Sequence, residues 1–100
     1  MLVDIAQRSK ARIMKNLVYE RAVSAGVEKV GIRLYQVSGG FIAERYLIQG
    51  DELTLVQILP VSSKGEFETF ALSDPHHSVM RKIYMEVRNI VWTDGVDDVI

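Results

Sequence analysis

Two adjacent histidines, His76 and His77, follow Ser73-Asp74-Pro75 in a chain with no other histidine and no cysteine. With Asp74 or Glu86 as a neighbour they could act as a general base or bind a metal, since imidazole changes charge near neutral pH. Consecutive residues on a helix point about 100° apart, however, so the two rings do not readily converge on one ion. No second cluster at ligand spacing accompanies them. The lack of cysteine removes disulfides, thiolate zinc sites and thiol catalysis together. The sequence is therefore read with no catalytic residue, no metal and no cofactor, and with His76 and His77 as a partly exposed pair in the first turn of a helix.

A second chemical pattern lies near the N-terminus. Arg8, Arg12, Lys15 and Tyr19 are spaced four, three and four apart, which on a helix makes a basic stripe ending in an aromatic ring. Such a stripe could bind nucleic-acid phosphates while Tyr19 stacks on a base. The competing reading is an ordinary solvated face, because the whole chain carries a net charge of -1 and nucleic-acid binders are usually strongly basic. The charge is uneven along the sequence. Residues 1–45 hold eight Lys and Arg against four Asp and Glu, and residues 46–100 hold four against nine.

The elements that must position these groups follow from periodicity. An amphipathic helix is expected over Asp4–Ser24, with Ile13, Met14, Leu17 and Val18 on its apolar face and Gly26 as its stop. Three apolar-rich runs come next, Val27–Val37, Phe41–Gln49 and Leu53–Leu59, separated by Ser38-Gly39-Gly40 and Gly50-Asp51. This is the pattern of an antiparallel meander. Val61–Gly65 reads as a polar loop and Glu66–Leu72 as a fourth strand. Ser73-Asp74-Pro75 then opens a helix carrying Val79, Met80, Ile83, Tyr84, Val87, Ile90 and Val91 at helical spacing. The expected fold is α+β, a two-layer arrangement of N-terminal helix, three- to four-stranded meander and C-terminal helix. A chain of 100 residues with 48% hydrophobic content is expected to be one domain, residues 1–100, with a frayed acidic tail over residues 94–100.

Both faces of the second and third runs carry large apolar groups, more than one packing helix would cover. Self-association into a homo-oligomer, simplest as a homodimer, would bury the excess. The expected function is thus a small non-enzymatic binding or regulatory module acting through protein–protein contact. Tyr35, Tyr46, Trp92 and the terminal Ile100 are its interaction residues. One alternative is nucleic-acid binding through Arg8, Arg12, Lys15 and Tyr19. Another is a small apolar ligand held between sheet and helix by Met14, Phe41, Tyr46 and Met80. No secretory leader is visible, and no apolar run approaches the roughly 20 residues of a membrane span, so a cytoplasmic location without membrane attachment is expected.

Overall fold

The structure, a computed structural model, describes residues 15–93. An antiparallel meander comes first: β1 (Asn16–Ala25), β2 (Glu28–Val37), β3 (Gly40–Gln49) and β4 (Glu52–Ile58), adjacent in that order in one sheet. Two helices follow, α1 (Lys64–Leu72) and α2 (His77–Val91). The class is α+β, as the sequence implies. No helix among the described residues is long and apolar enough to cross a membrane.

The expected N-terminal helix does not form over its second half. Asn16–Ala25 is a strand, paired with β2 from Asn16↔Gln36 to Ala25↔Glu28, and the remainder of that expectation, residues 4–14, lies outside the described residues. The helical spacing of Leu17 and Val18 is overridden by an alternation that puts Tyr19, Arg21 and Val23 on one face and Glu20 and Ala22 on the other. Gly26, read as a helix stop, has φ +71 and sits in a two-residue hairpin turn with Val27. Glycine at the first central position with positive φ suits a type II′ turn. Gly50 repeats the device between β3 and β4 with φ +61.

The expected fourth strand over Glu66–Leu72 is α1 instead. Ser63 caps this helix, its Oγ accepting from the Glu66 N–H at 3.3 Å. Ser63-Lys64-Gly65-Glu66 has the Ser-x-x-Glu form of a capping box, a start signal hidden inside what looks like a polar loop. Phe67 and Ala71, four residues apart, then share the buried face of α1.

α2 begins at His77, with His76 as the residue before its first turn. Met80, Ile83, Tyr84 and Val87 recur at intervals of three, one and three and are all buried. They pack on Val30, Ile32, Leu34 and Ala43 of the sheet and on Leu59, Phe67 and Ala71. Phe67 meets the Tyr84 ring at 5.7 Å in a T-shaped contact and the Trp92 ring at 5.3 Å. Each large side chain fully buried here contributes about 1.5–3 kcal/mol by leaving water. The helices cover one face of the sheet, with α2 lying over β1 and β2.

Candidate functional site

Arg45 occupies a helix-facing position on β3, between Ala43 and Leu47 in the alternation. An arginine at that position is buried among apolar groups and needs an acidic partner, because an unpaired buried charge costs several kcal/mol. Asp74, from the link between α1 and α2, supplies it. The guanidinium Nε donates to one carboxylate oxygen of Asp74 at 2.8 Å and Nη2 to the other at 2.9 Å. The side chains are 5% and 1% exposed.

The rest of the link completes the pair. The Tyr84 hydroxyl donates to the same Asp74 oxygen that Arg45 Nε reaches, and the His76 backbone N–H donates to the other at 2.7 Å. Arg45 Nη1 donates to the Tyr46 carbonyl at 3.1 Å. Its Nη2 lies 3.2 Å from His76 Nδ1. Arginine has no acceptor, so in this contact Nδ1 accepts. His77 turns elsewhere, its Nδ1 3.0 Å from the Ala71 carbonyl, which requires that nitrogen to be the donor. The two histidines therefore have different partners. No group of three or more His, Cys, Asp or Glu side chains that could hold a metal occurs among the described residues.

The electrostatics follow from this geometry. Burial alone pushes the Asp74 carboxyl up, but hydrogen bonds from Arg45, Tyr84 and His76, with the charge of Arg45, outweigh it and hold the group at about 2. Burial and the neighbouring carboxylate push the Tyr84 phenol well above its ordinary value. The cluster is thus a locked ion pair with a neutral phenol. Every carboxylate oxygen is engaged, which suits fastening the link to the sheet better than moving a proton.

Beside the cluster opens a cavity of about 270 Å³. Leu47, Val56, Phe70 and Pro75 form its apolar walls, and Arg45, Gln57 and His76 are among its polar groups. Val56 reaches it through a bulge: Arg45 pairs with Gln57 and Tyr46 with Leu55, leaving Val56 as an extra residue on β4. Such bulges re-aim a side chain at a sheet edge. The residues expected to enclose a ligand do not meet there. Met80 is fully buried in the core, Phe41 packs at the core's edge, Tyr46 is on the other face of the sheet, and Met14 lies outside the described residues.

That other face is covered by no described element. Its cross-strand rows run Leu17, Tyr35, Ile42; then Glu20, Arg33, Glu44, Ile58; then Ala22, Gly31, Tyr46, Leu55; then Ser24, Lys29, Ile48, Leu53. The β1–β2 half is largely polar, with Arg33 Nε donating to Glu20 at 2.6 Å. The β3–β4 half is mostly apolar, with Glu44 beside Ile58 as its charged residue. Leu53, Leu55 and Ile58 are 44%, 50% and 52% exposed.

Tyr35 and Tyr46 share this open face. Tyr46 is nearly buried there, lying over Gly31 with the Arg33 guanidinium 5.0 Å from its ring centre. Trp92 lies on the helix side against Phe67, apart from the tyrosines, and Ile100 lies outside the described residues. Of the basic stripe, Arg8 and Arg12 also lie outside them. Lys15 sits 4.5 Å above the Tyr35 ring and 3.8 Å from Glu44 on the open face. Tyr19 faces the helices, its hydroxyl donating to Glu86 at 2.5 Å. Residues four apart on a regular strand share a face, but the bulge between Leu17 and Tyr19 sends Lys15 and Tyr19 to opposite faces.

Neither Arg45 nor Tyr84 stands out as a site residue in the sequence. A charged residue alternating with Phe41, Ala43 and Leu47 is the signal that could have found the first, while Tyr84 was legible only as a core residue. No protein-family model matches the chain, and no curated protein or solved structure matches it either.

Proposed function

We propose that this chain is a non-enzymatic protein-interaction module that associates with a second copy of itself through the open face of β3 and β4. The observation that carries this reading is the row of large apolar side chains, Leu53, Leu55 and Ile58, half-exposed on β4 and continuous with Ile42 and Ile48 of β3. Removing such a patch from water favours association, with only the surplus over the lost freedom of the partners appearing as affinity, and contiguous exposed apolar surface usually marks an interaction site. A two-fold axis would bring identical rows together, with Glu20, Arg33 and Glu44 on the polar flank limiting how far the contact spreads. The self-sufficient Arg45–Asp74 pair supports a binding rather than a catalytic role.

Sedimentation velocity of the wild-type chain and of a Leu55→Lys, Ile58→Lys variant tests the reading. Both positions are exposed, so the variant is expected to fold. A wild-type dimer that becomes a monomer in the variant supports the proposal. A wild-type chain that stays monomeric at about 100 μM, weaker than a 1 μM complex by two decades or about 2.7 kcal/mol, contradicts it.

A further inference from the structure

β4 is the outer strand of the sheet, and among the described residues no backbone pairs with its outward edge. All seven of its residues are exposed. Leu53–Ile58 contains no lysine, arginine or proline, so the bulge at Val56 is the one device in this stretch with which proteins discourage strand addition at an edge. The cavity of about 270 Å³ opens beside this edge, with Val56 and Gln57 of β4 in its lining. An open edge next to a side-chain-sized apolar cavity is the arrangement of strand-addition recognition, in which main-chain bonds give affinity and pockets give specificity.

We infer that β4 accepts an extended segment of another protein as a fifth strand, with one large apolar side chain of that segment seated between Leu47, Val56, Phe70 and Pro75. Charge selects the flanking residues. Asp74 neutralises Arg45, so Glu28 at the cavity and Glu52 at the start of β4 leave the site acidic. The segment carries lysine or arginine two residues either side of its apolar anchor, on the same face as the anchor. A second copy's β4 does not meet this description, because its helix-facing residues include Glu52, Thr54 and Gln57. The inference rests on reading β4 as an interaction strand, but it uses the strand's edge and helix-facing side rather than the open face.

The test titrates the ¹⁵N-labelled full chain with two capped peptides. One has a lysine-threonine-phenylalanine-threonine-lysine core between threonines, and the other has aspartate in place of phenylalanine. The expected result is saturable movement of the Leu53–Ile58 and His76 amide resonances with the phenylalanine peptide, at least tenfold weaker binding of the aspartate peptide, and at least tenfold loss in Val56→Asp. Val56 is 54% exposed, so that variant is expected to fold. Equal binding of both peptides, no shift at millimolar peptide, or shifts at the cavity without the β4 amides, the mark of a free small-molecule site, would each overturn the inference. A monomeric chain that binds the peptide removes only self-association, whereas a dimer that ignores it removes only strand addition.

Discussion

Arg45 on β3 and Asp74 in the link between α1 and α2 form a two-pronged ion pair at 2.8 and 2.9 Å, with both side chains almost wholly removed from water. Twenty-nine residues apart in sequence, they fasten the start of the last helix to the sheet. Among the described residues no buried side-chain nitrogen or oxygen lacks a partner.

Breaking one side of this pair strands the other charge in the interior. Asp74→Ala is expected to lower stability by about 3–5 kcal/mol, read as a fall in the urea midpoint at unchanged slope. Replacing both partners, Arg45→Met with Asp74→Leu, is expected to cost less than Asp74→Ala alone, since no uncompensated charge remains. A double variant less stable than the single one would contradict this account of the pair.

The pair also sets an acid limit. The Asp74 carboxyl is held at about 2 in the folded chain, below the ordinary aspartate value of about 3.9, so its contribution to stability is present above pH 4. It is lost as pH falls from about 4 towards 2, because protons then favour the unfolded chain. The loss amounts to about 2 kcal/mol. Urea midpoints measured between pH 6 and 2 are expected to fall most steeply below pH 4, and Asp74→Asn is expected to flatten that fall. The Tyr84 phenol, raised by burial and by Asp74, acts at the other end. Its share is present below about pH 10, the unfolded phenol value, and declines above it.

How much of this was legible in the sequence depends on which forces decide each segment. β2 to β4 were readable because the turn glycines and the alternation of Val30, Ile32 and Leu34 are local signals. α2 was readable because one face carries Met80, Ile83, Tyr84 and Val87. β1 was not, since Leu17 and Val18 satisfy a helical period and only pairing with β2, across Gly26 and Val27, makes them strand. α1 is hidden because Phe67, Thr69 and Ala71 also alternate, and the Ser63–Glu66 cap looks like loop polarity. At the candidate site, Asp74 reads as a helix cap, but its partner is 29 residues away and nothing local names it.

Gly31 gives a prediction that rests on packing alone. A Cβ at this position would lie 2.3 Å from the Arg21 carbonyl oxygen and 2.8 Å from the Tyr46 ring, so β1 would have to move as well as the ring. Gly31→Ala is expected to cost at least about 2 kcal/mol, a fall in Tm of roughly 8–16 °C for a domain of this size. Adding Tyr46→Ala is not expected to restore stability, because the carbonyl contact remains. A Tm within 2 °C of wild type would show that the strands part more easily than their spacing implies.

Tyr19 and Glu86 join β1 to α2 through one hydrogen bond of 2.5 Å, half-shielded from water. Tyr19→Phe removes the hydroxyl and leaves Glu86 with Arg21, 3.6 Å away. The expected loss is about 1 kcal/mol, measurable by thermal unfolding. A loss above about 3 kcal/mol would mean that the contact anchors more of the helix than its geometry indicates.

The most direct test of the central claim is the sedimentation velocity of the purified chain across a concentration series, run beside Leu55→Lys, Ile58→Lys. A dimer in the wild type and a folded monomer in the variant is the predicted result. A wild type that remains a monomer throughout, or a variant that dimerises equally well, would contradict self-association through the open face of β3 and β4.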